Sequence, residues 1–152
     1  LPRELGLFSY GGEDYVSVKP SPEVYAAFDK KPSGRLQAAA YLEVTGIRNN
    51  ASIVLSNDKG EKVVMAYDGR NGTFSMDRNA SGQADFNNDF KATTVAPTCG
   101  KVKTLQIFID RCSIEAFDGE GRMAMTNLVF PSRPYDRITA KGCKVTVHAL
   151  KK

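Results

Sequence analysis

The sequence predicts an all-β fold: a two-sheet antiparallel β-sandwich of the jelly-roll or concanavalin-like kind. Two observations carry this. Short runs rich in Val, Ile, Thr, Tyr and Phe recur about every ten residues between clusters of Gly, Asn and Asp, the spacing of a sandwich or barrel. The stretch Thr104–Pro131 holds two strand–turn–strand signals in succession, which reads as a β-meander.

In chain order, strands are expected near Tyr15–Lys19, Arg35–Thr45, Ser52–Ser56, Lys62–Tyr67, Thr73–Asp77, Thr104–Asp110, Ser113–Phe117, Met123–Phe130 and Lys144–Leu150. The runs Asn57-Asp58-Lys59-Gly60 and Asp68-Gly69-Arg70-Asn71-Gly72 are turn signals, and the first joins Ile53-Val54-Leu55 to Val63-Val64-Met65 as a hairpin. One brief helix is expected, with Ser21 as its cap, Pro22 at its first position and Lys31-Pro32 ending it.

The meander also fixes a register. With Arg111 and Cys112 at the centre of a two-residue turn, Asp110 pairs with Ser113, Ile109 with Ile114, Phe108 with Glu115 and Ile107 with Ala116. Ile107, Ile109, Ile114 and Ala116 then share one face of a half-buried hairpin, whereas a one-residue slip sets Ile109 against Ser113 or Glu115. Asp118-Gly119-Glu120-Gly121 turns the chain again, and Pro131 ends the third strand.

The chain has 152 residues, 41% hydrophobic and 25% charged, which suits one globular domain with a short appendage. Its net charge of +4 comes from 21 basic against 17 acidic side chains. The basic residues are scattered rather than gathered into a stripe with aromatic platforms, so nucleic acid is not an expected partner. No apolar run is long enough to span a membrane, and no signal-peptide pattern opens the chain. The abrupt start at Leu1-Pro2-Arg3 reads as a piece of a longer protein whose own signal lies upstream. Cys99, Cys112 and Cys143 are an odd number at irregular spacing, expected as buried or partly buried free thiols. With no Cys-x-x-Cys and one histidine, neither a metal nor a cofactor is expected.

Three ordered motifs resemble one family. Phe108-Ile109-Asp110-Arg111-Cys112-Ser113-Ile114-Glu115-Ala116-Phe117, followed by Gly121-Arg122, Met125-Thr126 and Val129-Phe130-Pro131, resembles the C-terminal β-sandwich module of glycoside hydrolase family 32. That family holds the invertases, levanases and inulinases. Leu1-Pro2-Arg3-Glu4-Leu5 is similar to the run closing the last blade of the family's catalytic propeller. Phe74-Ser75-Met76-Asp77-Arg78 with Ser81-Gly82, Phe86 and Phe90 resembles the sandwich's middle motif. The resemblance implies that residues 1–31 are a remnant of the last propeller blade plus a linker, around Pro20-Ser21-Pro22, and that residues 32–152 are the sandwich. It further implies a secreted or periplasmic parent acting on β-fructosides, with the catalytic propeller of the same chain as this module's partner.

The family's catalytic motifs are Trp-x-Asn-Asp-Pro-like, Arg-Asp-Pro and Glu-Cys. This chain has no Trp, no Arg-Asp-Pro and no Glu-Cys. A retaining glycosidase needs a nucleophilic carboxylate and a second one as general acid, and neither carries over. The expected role is therefore non-catalytic support of the propeller. The alternatives are a fructan-binding module, a homodimer contact, or an unrelated lectin-like sandwich. Binding would need a concave patch with converging polar groups; an interface would need an exposed apolar patch near the N-terminal segment.

Asp110 and Glu115 form a carboxylate pair on one face of the hairpin, yet Asp110 is expected to bond the turn backbone or Ser113, and Glu115 to find Arg111 or Arg122. Asp110, Ser113 and Glu115 are thus expected as a structural turn motif. Cys112 beside Arg111 lacks a histidine and is expected to be inert. His148, alternating with Val147 and Ala149, is expected to face solvent or another strand. Asn50-Ala51-Ser52, Asn71-Gly72-Thr73 and Asn79-Ala80-Ser81 match the glycosylation sequon and lie at turns. Candidate sugar-stacking rings are Tyr10, Tyr15, Tyr25, Tyr67 and Tyr135, with Tyr67 and Tyr135 singled out.

Overall fold

The computed structural model describes all residues, 1–152, and is a sandwich of two five-stranded antiparallel sheets with a separate two-stranded ribbon. The ribbon pairs β1 (Arg3–Tyr10) with β2 (Glu13–Pro20), and a short helix α1 (Pro22–Ala26) follows. The remaining strands are β3 (Ala40–Thr45), β4 (Asn50–Ser56), β5 (Lys62–Asp68), β6 (Thr73–Asp77), β7 (Thr93–Pro97), β8 (Leu105–Ile109), β9 (Ser113–Asp118), β10 (Ala124–Leu128), β11 (Arg137–Lys141) and β12 (Lys144–Ala149). One sheet runs β10-β9-β8-β3-β12 and the other β11-β4-β5-β6-β7. Their facing sides bury a core of 23 residues, among them Leu42, Val44, Leu55, Val63, Met76, Ile107 and Ile114. No helix is long and apolar enough to cross a membrane.

Local chemistry explains the turns. In β4 and β5 the inward positions Ala51, Ile53, Leu55, Val63, Met65 and Tyr67 alternate with outward ones, as period two requires. The Asn57 carboxamide oxygen accepts from the Lys59 and Glu61 amides (3.0 and 3.2 Å), and Gly60 takes the left-handed conformation (φ 75°) that closes the loop. Between β5 and β6 the Asp68 carboxylate accepts from the Arg70 and Asn71 amides, each at 3.0 Å. These bonds, led by those from Asn71, hold the Asp68 carboxyl below its ordinary value.

The β8–β9 register is the expected one: Ile107 opposes Ala116, Phe108 opposes Glu115 and Ile109 opposes Ile114, with the Asp110 amide donating to the Ser113 carbonyl at 2.9 Å. The hairpin is not half-buried, however. Its outer residues Phe108, Glu115 and Phe117 are 4%, 8% and 0% exposed, because Val24 and Phe28 from the helical segment, with Val18 of β2, pack on Phe108 and Phe117.

Three strands escape the sequence pattern. β7 and β11 are edge strands with mostly exposed residues, so no apolar alternation marks them. β1 lies in the ribbon, where Leu5 and Leu7 remain exposed. The expected strand from Arg35 begins only at Ala40. The expected helix ends at Ala26 rather than near Lys31, and the Ser21 side chain makes no capping bond. Past Ala26 the backbone pairs with the C-terminal strand instead: the Asp29 amide donates to the Ala149 carbonyl and the Lys151 amide to the Ala27 carbonyl (2.8 and 2.9 Å).

Candidate functional site

The outer face of the first sheet gathers the functional candidates. Strand register sets His148, Tyr41, Phe108, Glu115 and Thr126 in one transverse row across β12, β3, β8, β9 and β10. Their side chains meet as neighbours because cross-strand partners stand about 5 Å apart. Tyr41 stacks on Phe108 on one side (centroids 4.9 Å, planes 17° apart) and on His148 on the other (5.3 Å, 20°).

At the β9 end of the row, Glu115 takes a partner that the sequence reading did not choose. Its carboxylate accepts from Arg3 at 2.7 Å and from the Leu1 ammonium at 3.1 Å, not from Arg111 or Arg122. Arg3 also bonds the Thr126 hydroxyl (2.8 Å), and its guanidinium lies over the Phe117 ring (5.2 Å). Arg122 is engaged elsewhere, with Glu120 at 3.3 Å and the Cys99 carbonyl at 3.3 Å. Asp110 accepts from the Arg111 amide at 2.7 Å. Asp110, Ser113 and Glu115 do line one groove of about 550 Å³ beside α1. The Arg3–Glu115 pair ties the N-terminal ribbon to the sheet.

Tyr67 and Tyr135 are core residues rather than surface rings, 3% and 4% exposed. The Tyr67 hydroxyl accepts from the Val102 amide (3.2 Å) and the Tyr135 hydroxyl donates to the Ser81 carbonyl. Each thus satisfies a buried backbone group, and neither presents a ring face to a ligand. Tyr10 and Tyr15 are exposed on the ribbon, where Tyr15 stacks on Phe8 (5.5 Å). Tyr25 meets Tyr41 edge-on (5.2 Å, 77°).

His148 does have a carboxylate neighbour, brought from a distant strand. Its Nδ1 lies 2.9 Å from the Asp29 carbonyl oxygen and its Nε2 lies 3.5 Å from Glu43 Oε2. Only the pairing of β3 with β12 creates this contact, so spacing along the chain carries no sign of it. The three cysteines form no disulfide; Cys99 and Cys143 are partly buried, but Cys112 is exposed in its turn, contrary to expectation. Burial pushes the Cys143 thiol up.

The middle motif forms a brace between the sheets. The Arg78 guanidinium lies 4.2 Å over the Phe90 ring and donates to the Leu128 carbonyl at 3.1 Å. Phe90 and Phe86 both pack on Phe130. Ser81 bonds the Arg78 carbonyl (2.7 Å), and Gly82 (φ 141°) lies so close to Phe130 and Pro131 that no side chain fits.

The ribbon is the most exposed apolar element. Leu5, Leu7 and Val16 are 73%, 78% and 58% exposed, and register places them on one face, with Leu7 opposite Val16. From β2 the backbone reaches the sandwich through one bond, the Val18 amide to the Gly121 carbonyl (2.9 Å).

Comparison with known proteins fits this geometry. Residues 11–151 match the family described as glycosyl hydrolases family 32, C terminal. A levanase of Bacillus subtilis (strain 168) is 36% identical over 99 residues, 58% of this chain and 14% of the levanase. An extracellular exo-inulinase of Aspergillus niger is 33% identical over 100 residues, 59% of this chain and 19% of that protein. The chain thus spans less than a fifth of these relatives. Among solved structures, the exo-inulinase of Aspergillus awamori superposes on 99% of this chain and 35% of its own (TM-score 0.80, 19% identity). A family 32 β-fructofuranosidase of Bombyx mori covers 99% and 32% (TM-score 0.71, 16% identity). Those two share the fold, and the larger part of each lies outside the match. The chain belongs to the C-terminal domain family of the family 32 glycosyl hydrolases.

Proposed function

We propose that this chain is the non-catalytic C-terminal module of a secreted or periplasmic hydrolase acting on β-fructosides, and that it braces the catalytic propeller of the same parent. The carrying observation is the ribbon. Its apolar face is exposed, while its base is fastened by Arg3 to the buried Glu115. An exposed apolar face of this kind marks an interaction surface. In this reading, residues 1–31 complete the last propeller blade and lead into the sandwich at 32–152. The contribution to the parent is buried area and a fixed base; bond chemistry stays with the propeller.

Two tests bear on this. The coding sequence upstream of Leu1 is expected to contain Trp-x-Asn-Asp-Pro-like, Arg-Asp-Pro and Glu-Cys motifs; an upstream region without them overturns the reading. The purified chain is expected to release no fructose from sucrose, inulin or levan. Release proportional to protein in a homogeneous sample would contradict a non-catalytic module.

A further inference from the structure

β12 ends its sheet, and a strap that follows α1, residues 27–33, covers its outer edge. The Asp29 amide donates to the Ala149 carbonyl at 2.8 Å and the Ser33 amide to the Val147 carbonyl at 2.7 Å. The Lys151 amide returns a bond to the Ala27 carbonyl at 2.9 Å. A covered edge cannot offer its N–H and C=O groups to a strand of another molecule. Past Phe28, however, Asp29, Lys30, Lys31 and Pro32 are all exposed, so no apolar burial holds this stretch down. Besides its backbone bonds it has one side-chain contact with β12, made by His148.

Both ring nitrogens of His148 face oxygens. Nδ1 lies 2.9 Å from the Asp29 carbonyl, and the enclosed Nε2, which has no hydrogen-bond partner, lies 3.5 Å from the Glu43 carboxylate. A carbonyl and a carboxylate accept and do not donate, whereas a neutral imidazole carries a single N–H. Either neutral tautomer therefore turns a lone pair on one of the two oxygens. Only the imidazolium gives each oxygen a donor. Its ring lies flat on Tyr41 (5.3 Å, 20°), and an aromatic face attracts a cation. The other ionisable groups around the ring are Tyr41 and Glu43 of β3, Tyr25 of α1, and Asp29 and Lys30 of the strap. Lys151, beyond β12, donates its ammonium to the Ala26 carbonyl at 2.7 Å. Burial raises both phenols, so they add no charge near neutrality. Two carboxylates against one ammonium in that lining favour a positive ring.

We propose that His148 is a proton-operated latch on the strap. As imidazolium it ties Asp29 to β12 and Glu43; on losing its proton it lets the strap lift more often and bare the β12 edge. The backbone bonds remain, so the change is one of opening frequency. A charge-assisted bond outweighs a neutral one by enough to change that frequency about five- to tenfold. The latch lies next to the packing of Phe28 on Phe108, in the small cluster that Val18 of the ribbon also joins.

His148 is the only histidine, so its ring signals are unambiguous in NMR spectra of the 152-residue chain. Imidazole ordinarily titrates near ~6.5, so about pH 5.5 and about pH 8 bracket the change. At the lower pH both ring N–H protons should give slowly exchanging resonances, which an imidazolium open to water loses. Hydrogen exchange reads the strap itself. Protection of the Asp29 and Ser33 amides, relative to amides of β4 and β5, should fall about five- to tenfold between the two pH values. His148→Phe keeps a ring on Tyr41 without the proton, and there the ratio should be low and flat. Glu43→Gln keeps the shape without the charge and should shrink the fall. A flat ratio in the parent chain, an equal fall in His148→Phe, an undiminished fall in Glu43→Gln, or only one ring N–H resonance at the lower pH overturns the proposal.

Discussion

Ile109→Ala tests the strand register and the inward face together. Ile109 is 5% exposed, sits between Ile114 of β9 and Ala40 of β3, and belongs to the main core. The three carbon groups lost, at ~0.8 kcal/mol each, come to ~2.4 kcal/mol of transfer free energy. A cavity term adds to this where the surroundings hold their shape. Ile109 also borders two surface grooves, so neighbours can relax and water can enter, which keeps the added term small. The expected loss is ~2–4 kcal/mol, a large share of a typical ~5–15 kcal/mol. In urea, with a slope of ~1–3 kcal/mol/M, the midpoint should fall by ~1–2 M with the slope unchanged. Leu128→Ala, at a position 49% exposed, is the control and should stay within ~0.5 kcal/mol. A change of that same small size at Ile109 would refute the packing argument.

Arg3→Ala should cost ~1–3 kcal/mol, below the ~3–5 of a fully buried pair, because the Arg3 side chain is 34% exposed. A double-mutant cycle with Glu115→Gln in urea should show the two losses to be non-additive, and additivity would mean that the pair is not coupled. Asp118→Asn should leave stability at pH 7 equal or higher, within ~1 kcal/mol. Burial raises the Asp118 carboxyl, so the folded chain binds its proton more tightly than the unfolded chain. That contribution is present at low pH and is lost as pH rises from the ordinary value of ~3.9 through the folded one. The variant should flatten this slope in urea melts across the acid range, and an unchanged slope would count against it. Gly82→Ala should destabilise by ~2 kcal/mol or more, since its Cβ would fall 2.6 Å from Pro131 Cα; a thermal melt matching the parent chain would contradict the brace.

The sequence reveals what period two and turn chemistry encode. The β8–β9 register follows from Ile107, Ile109, Ile114 and Ala116 alone, because any slip would set isoleucine against polar groups. The β4–β5 hairpin follows from Asn57 and Gly60 between two alternating runs. What stays hidden depends on distant partners. β7 and β11 pair at sheet edges with threonines and charged residues, so no apolar alternation announces them. Arg111 and Arg122 are near Glu115 in sequence, yet Arg3 reaches it from 112 positions away. Tyr67 and Tyr135 look like surface rings until the sheets close over them. His148 gains Glu43 only through strand pairing. Proximity along the chain is a poor guide once a sheet orders its strands out of sequence.

The two-sided burial of β8 and β9 ties the core and the ribbon to the same strands. Ile114 and Ala116 point inward to the sandwich core, while Glu115 between them points outward to Arg3. Successive residues of one strand therefore anchor the core and the ribbon. Displacing the ribbon would strip Arg3 from Glu115 and leave a buried carboxylate with less compensation, a costly state. It would also uncover Phe108 and Phe117, now covered in part by Val18. The ribbon is thus held at its base by charge and aromatic packing, while Leu5, Leu7 and Val16 remain free to bury themselves against a partner. A rigid base and an unsatisfied apolar face on the same ribbon are what a docking element requires.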